Sequence, residues 1–200
     1  MSVQMFSAGM DEAGRGPLAG PVTAGCVILP EDFPFEILND SKKLSEKKRE
    51  GAEKIIKELG CWGFARVEHD EIDRINILQA SLKAMYLAFN DMLTKLPRWC
   101  EERNQPVPET GLIQAIADGT YCPDVPCAVR AEPKADAKYP EVMAASILAK
   151  VGRDAIMKEY ESLYPGYGYA KHKGYPTKAH IQACHKLGPS PIQRLSFRYP

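Results

Sequence analysis

Two acidic residues, Asp11 and Glu12, follow directly on an apolar stretch and are themselves followed by Gly14-Arg15-Gly16. Successive side chains of a regular strand point to opposite faces, so neighbouring carboxylates serve one site only if the strand ends or bulges there. The glycines just beyond make such a break available. A carboxylate at the edge of a core is costly unless something neutralises it. An apolar strand that runs into paired acids therefore predicts a sheet whose strand ends carry chemistry.

A second acid sits in the same kind of position. Asp118 closes a run containing Leu112, Ile113, Ala115, Ile116 and Ala117, and Gly119 follows it. A third, in Lys134-Ala-Asp136, lies just before a long helical stretch. Taken singly, each has an ordinary explanation: Asp118-Gly119 is a common turn, and Asp136 suits a helix N-cap or an ion pair with Lys134. Taken with Asp11 and Glu12 they read as a cluster, which is stable only when protons or cations occupy it. Oxygen-only ligands without histidine point to magnesium or manganese rather than zinc. Asp154 is the rival for the fourth place. It lies four residues after Lys150 on one helix, where an intrahelical ion pair is its ordinary role, and Asp136 is preferred.

The surrounding pattern predicts an α/β protein. Strands are expected at residues 5–10, 22–29, 61–67, 112–117 and 128–131. Helices are expected at 47–59, capped by Ser45 and closed by Gly60, at 77–96, stopped by Pro97, at 141–163, and at 177–187, closed by Gly188-Pro189. Residues 97–110, polar and rich in proline, read as a surface loop. Strands in succession, then alternating with helices, imply a mixed sheet covered by helices. The length of 200 residues suits one domain, and no repeat or linker marks a boundary.

Composition narrows the class. With 44% apolar residues the chain is not disordered, and no apolar run approaches the ~20 residues of a membrane span. The first ten residues lack a basic start followed by an apolar stretch, so a soluble, cytoplasmic protein is expected. The six cysteines form no C-x-x-C pair, the closest spacing being Cys122 to Cys127, and they read as reduced, mostly buried thiols. His180, Cys184 and His185 make only a weak ligand pattern. The 26 basic and 26 acidic residues cancel, which at first argues against a nucleic-acid partner. Their distribution reverses that argument. Residues 1–129 carry a net charge of −6 and residues 130–200 one of +6. Residues 162–200 contain no acid, six Lys and Arg, three of the four histidines and five of the nine tyrosines. That composition suits a surface that follows a phosphate backbone and stacks on sugars or bases.

The string Asp11-Glu-Ala-Gly-Arg-Gly-Pro-Leu-Ala-Gly-Pro21 closely resembles the signature of ribonuclease HII, the type 2 ribonuclease H family. The match continues through Leu38-Asn-Asp-Ser-Lys-Lys-Leu44, Asn76-Ile-Leu78, Ala117-Asp-Gly119, Lys134-Ala-Asp136 and Ala144-Ala-Ser-Ile-Leu-Ala-Lys150. It ends with His172-Lys-Gly-Tyr-Pro-Thr177 and Arg194-Leu-Ser-Phe197, in family order over nearly the whole chain. The resemblance implies a ribonuclease H-like mixed five-stranded sheet flanked by helices, with a helical C-terminal extension. It implies a catalytic domain over residues 1–161 and a basic helical segment, 162–200, packed on it. Asp11, Glu12, Asp118 and Asp136 are then the catalytic acids, holding two Mg2+ or Mn2+ ions. With those ions bound, the substrate face is expected to be positive although the chain is neutral.

The implied substrates are RNA–DNA hybrids and DNA duplexes containing single ribonucleotides, cut to leave 3′-hydroxyl and 5′-phosphate ends. The implied role is removal of RNA primers or of ribonucleotides misincorporated in DNA. By similarity, Gly14, Arg15 and Gly16 form the loop that senses the RNA–DNA junction, and Tyr175 stacks near its ribose. Lys42, Lys43, His172 and Lys173 are expected phosphate contacts. A monomer is expected. Gln193 departs from the pattern, since a histidine usually precedes the closing Arg, and the 97–110 loop is longer than in a minimal member. The related type 3 enzymes carry an added N-terminal domain and lack this Arg-tyrosine combination, so they fit less well.

Three other readings compete. Residues 14–20 suggest a phosphate-binding loop, but the Gly-Lys-Ser/Thr ending and the G-x-G-x-x-G spacing are both missing. A non-catalytic nucleic-acid-binding module explains the basic tail and leaves the acids unexplained. Gln193-Arg-Leu-Ser-Phe197 loosely resembles a sliding-clamp-binding peptide, against the ordinary reading of a motif packed on the body.

Overall fold

The computed structural model describes residues 5–38 and 45–198. At its centre is β1 (Phe6–Ala13), antiparallel to β2 (Val22–Ile28) on one side and parallel to β4 (Ile113–Asp118) on the other. β3 (Cys61–Val67) extends the sheet beyond β2, and β5 (Ala128–Glu132) extends it beyond β4, giving the order β3-β2-β1-β4-β5. The helices are α1 (Glu46–Leu59), α2 (His69–Ile75), α3 (Ile77–Glu101), α4 (Pro140–Leu163), α5 (Tyr169–His172) and α6 (Lys178–Leu187). This is the expected mixed five-stranded sheet flanked by helices.

Alternation along β1 divides the two cores. Phe6, Ala8 and Met10 face α3 and pack with Ala84, Phe89 and Met92. Gly9 lies on the other face, under α4, where a Cβ would overlap the backbone of Glu141 and Val142. The absence of a side chain there lets the helix lie directly on the strand. On that side Val27 joins Ile56 of α1 and Ala144, Ala145 and Leu148 of α4. Each fully buried Leu, Ile, Phe or Met contributes about 1.5–3 kcal/mol, and small residues at the contact set how closely the layers approach.

α3 does not stop at Pro97 but continues to Glu101. The proline forfeits a helical hydrogen bond and crowds the preceding turn. Trp99 and Cys100 are nevertheless buried in the final turn, and Trp99 Nε1 donates to the Leu59 carbonyl at 2.9 Å. The Trp99 ring meets Phe6 edge-on at 6.4 Å. Tertiary contacts thus carry the helix past its breaker, and the polar loop starts later than its composition implies. α2 is a helix that periodicity does not announce. Asn76, at φ 67°, separates it from α3 and caps the latter by accepting from the amides of Leu78 and Gln79.

Candidate active site

The expected break in β1 at Asp11-Glu12 does not occur: the strand stays in register with β2 as far as Ala13↔Thr23. What ends is the pairing on its other side, where the last β1–β4 pair is Met10↔Ala117. The edge of β1 is therefore open from Asp11 onward, and both acids line one cleft of about 400 Å³. Asp118, the last residue of β4, reaches the same cleft from the neighbouring parallel strand. Lys134 turns the chain at φ 61°, so that the Ala135 amide donates to Asp118 Oδ1 at 2.7 Å.

Burial, then the charges of Glu12 and Asp118, push the Asp11 carboxyl well above its ordinary range, while a hydrogen bond with Ser146 acts against the rise. Burial also raises Glu12, opposed by Arg15, whose NH1 lies 3.2 Å from Glu12 Oε1. The cleft thus concentrates negative charge where solvent does little to screen it.

Ser146, Ile147 and Lys150 of α4 and Arg49 of α1 also line the cleft, and none was among the expected site residues. The spacing of Ser146 and Lys150 on one helix was a legible signal, since residues four apart share a face. Nothing in the sequence around Arg49 distinguishes it from the other basic residues of α1.

Gly14, Arg15 and Gly16 form a wall of the cleft, and Tyr175 lies across it, its ring 3.5 Å from where a Gly16 Cβ would stand. Gly14 has φ 100°, and a side chain there would collide with Arg153, so the turn requires glycine on both counts. The amide of Leu18 donates to the Gly174 carbonyl at 2.8 Å, fastening this loop to the segment carrying Tyr175.

The other expected residues divide. Asp136 is buried in a single 3-10 turn beside Ala135 and is not among the residues lining the cleft. Asp154 accepts from Lys150 Nζ at 2.7 Å, the ordinary ion pair weighed for it. His172 was expected to contact phosphate, yet both ring nitrogens serve the protein: one meets the Tyr167 carbonyl and the other accepts from the Gly174 amide. As folded, His172 orders the loop before Tyr175. Lys173 Nζ is turned onto the Ala170 carbonyl. Lys42 and Lys43 lie outside the described residues. Gln193 and Arg194 are buried, and Ala19 and Gln193 form an antiparallel bridge, so the closing motif is packed on the body. Four of the cysteines, Cys26, Cys61, Cys100 and Cys184, are buried and every one of the six is a free thiol.

The donor set fits a hard divalent cation: carboxylate oxygens line the cleft, and a cation there relieves the repulsion that burdens Asp11. Among the described residues no three His, Cys, Asp or Glu side chains already close on a point. An open carboxylate wall is the kind that binds magnesium through one or two carboxylates, completed by water and substrate phosphate.

A mixed sheet whose central strand and parallel neighbour deliver carboxylates to one cleft defines a ribonuclease H-like nuclease. The family model for ribonuclease HII matches residues 8–199, and the chain belongs to that family, which cleaves RNA in RNA–DNA hybrids and depends on divalent metal. It is 51% identical to the ribonuclease HII of Treponema denticola over 193 residues, covering 94% of this chain and 96% of that one. Identity to the Caldanaerobacter subterraneus enzyme is 49% over 193 residues, covering 96% and 73%. Among solved structures, ribonuclease H2 of Pyrococcus horikoshii superposes with a TM-score of 0.71 at 26% identity, covering 97% of this chain and 94% of that one. The Archaeoglobus fulgidus ribonuclease HII, solved in complex with PCNA, shares the fold with a TM-score of 0.67 at 24% identity, covering 98% and 96%.

Proposed function

We propose that this enzyme incises duplex DNA on the 5′ side of a single embedded ribonucleotide, as well as cutting RNA in longer hybrids, leaving 3′-hydroxyl and 5′-phosphate ends. The observation that carries this reading is the adjacency of two unlike walls. Carboxylates of Asp11, Glu12 and Asp118 line one side of the cleft, and the Gly14-Arg15-Gly16 backbone under Tyr175 lines the other. The first suits phosphodiester hydrolysis, and the second suits close inspection of a ribose, since backbone without side chains can approach a 2′-hydroxyl.

Asp11, Glu12, Asp118 and Asp136 are the proposed ligands of two Mg2+ or Mn2+ ions. When bound, such a pair activates water and stabilises the leaving oxygen of an in-line displacement. Ser146 orients the Asp11 carboxylate through their hydrogen bond. Arg15 holds Glu12, and the Ala135 amide fixes Asp118. Tyr175, 42% exposed, offers its ring to the sugar at the junction. Lys150 and Arg49 add positive charge at the cleft for the phosphate backbone.

On this reading, residues 162–200 form a basic segment that completes the substrate face of the catalytic domain 1–161. The protein acts as a monomer in the cytoplasm, in ribonucleotide removal from DNA. A sliding clamp is a proposed partner by analogy with the Archaeoglobus relative. In the closing motif of this chain, Leu195 is 75% exposed and forms the accessible apolar point for such a contact.

The test is a labelled DNA duplex with one ribonucleotide, incubated with the protein and magnesium or manganese. Incision 5′ to the ribonucleotide is expected, with none in the all-DNA duplex. Asp11→Asn should abolish cutting while retaining binding. Failure of folded wild-type protein to cut this duplex, with both metals tried, sinks the single-ribonucleotide reading.

A further inference from the structure

Arg153 and Arg194 are the two largest side chains with no solvent exposure at all, and among the described residues neither forms an ion pair. Their charges are spent on backbone carbonyls. Arg194 donates through Nε to Gly20 at 2.9 Å, through NH1 to Arg15 at 3.0 Å and Pro17 at 2.9 Å, and through NH2 to Gly14 at 2.7 Å. Arg153 donates through Nε to Pro21 at 2.9 Å, through NH2 to Ala19 at 3.1 Å, and through NH1 to Lys173 at 2.9 Å. The main-chain amide of Arg194 adds a bond to the Leu18 carbonyl at 2.8 Å. Between residues 14 and 21, only the Gly16 carbonyl is taken by neither arginine, and Gly16 is the residue beneath Tyr175.

This arrangement has a directional consequence. In a trans peptide the N–H points opposite to the C=O of the same plane. With the carbonyls of Gly14 and Arg15 drawn inward to Arg194, the amides of Arg15 and Gly16 face away from it, on the side that lines the cleft. The Lys173 carbonyl ties the next loop to the same scaffold, two residues before Tyr175.

We propose that Arg194 and Arg153 are positioning residues for ribonucleotide recognition, holding the Gly14-Arg15-Gly16 backbone and the Tyr175 loop in one fixed relation from beneath. This rests on the reading of those two elements as the ribose-inspecting wall. A planar guanidinium suits the task because its donors form a rigid fork, which a lysine ammonium cannot reproduce. Burial draws Arg194 down to about 9 and Arg153 to about 10, and both remain charged at neutral pH.

The experiment compares wild type, Arg194→Lys and Arg153→Lys on two substrates, a DNA duplex with one ribonucleotide and a long RNA–DNA hybrid, with KM and kcat separated. Folding is checked by circular dichroism. A displacement of about 1 Å can cost on the order of 10²-fold in rate. Arg194→Lys is therefore expected to lose about 10- to 100-fold in kcat/KM on the single-ribonucleotide duplex and several-fold less on the long hybrid. A merely structural role would lower both substrates together and leave their ratio unchanged, and an unchanged ratio in a folded variant overturns the proposal. Arg153→Lys, which leaves the Arg194 bonds in place, decides the matter if Arg194→Lys does not fold. Loss of folding in both assigns the arginines to the fold alone and likewise overturns it. A wild-type enzyme that cannot tell the single-ribonucleotide duplex from plain DNA refutes the underlying reading instead.

Discussion

The carboxylate wall and the loop wall of the cleft are built by opposite means. Asp11, Glu12 and Asp118 stand on β1 and β4, where ladder hydrogen bonds fix the backbone and like charges are forced together. Residues 14–21 belong to no ladder beyond one isolated bridge, and buried cations hold their carbonyls from within. The sheet places side chains; the arginines place main chain. The first construction stores repulsion that a bound cation would relieve, and the second stabilises the protein by satisfying polar groups that would otherwise be buried without partners.

The largest effect expected from this contrast is on catalysis. If Asp118 is the metal ligand proposed, Asp118→Asn should lower cleavage on the order of 10³-fold at unchanged fold, since a metal-binding carboxylate is worth several kcal/mol to the transition state. Cleavage assays with excess magnesium and manganese check it. On the loop side, Arg194→Met should lower the free energy of unfolding by about 3 kcal/mol, because it strands several carbonyls at once. Urea denaturation measures this, and a loss below about 1 kcal/mol would erase the distinction between the two walls. Gly9→Ala should destabilise by about 1–3 kcal/mol through overpacking against α4. It should also reduce activity, because Ser146 rides on that helix and bonds to Asp11.

Smaller effects should differ in sign between the walls. In metal-free protein at pH 7, Asp11→Asn is expected to raise stability by about 1 kcal/mol, as removal of a strained functional charge commonly does. A carboxyl whose folded pKa lies above its ordinary 3.8 binds its proton more tightly in the fold, so stability falls as pH rises from about 3.8 through the folded value. The gain from Asp11→Asn should therefore vanish near pH 4. His172 and His180, stacked at 4.5 Å beneath the Tyr175 loop, are held by burial below their ordinary 6.5. Their contribution is present above pH 6.5 and is lost as pH falls through the folded values. Glu161 favours and Lys173 opposes protonation of His172. Amide exchange at Gly174, whose N–H donates to His172, should accelerate on going from pH 7 to 5.5 after correction for intrinsic rates.

How much of this was legible in the sequence follows the same division. Strands announce themselves by apolar runs, and the acids at their ends mark themselves by being out of place, so β1, β4, Asp11, Glu12 and Asp118 were all readable. The edge opening beside β1 was not, because it depends on where β4 stops pairing rather than on any residue of β1. The turn of α3 beyond Pro97 escaped for a similar reason: Trp99 is held by Phe6 and Leu59, both remote in sequence. Arg153 reads as one more cation of a long helix and Arg194 as one more of the basic tail, and no periodicity reveals that each is surrounded by carbonyls.

The span of the Arg194 bonds bears on when the enzyme becomes an enzyme. They join residues 174 to 180 positions apart in the sequence. During synthesis the sheet can assemble while the chain is still emerging, N-terminal parts first. Arg153 can take the carbonyls of Ala19 and Pro21 once α4 has emerged, but those of Gly14, Arg15, Pro17 and Gly20 wait until residue 194 has left the ribosome. On the proposed reading, selectivity for ribose is therefore acquired last, and a nascent chain carries its acids well before it carries the means to aim them.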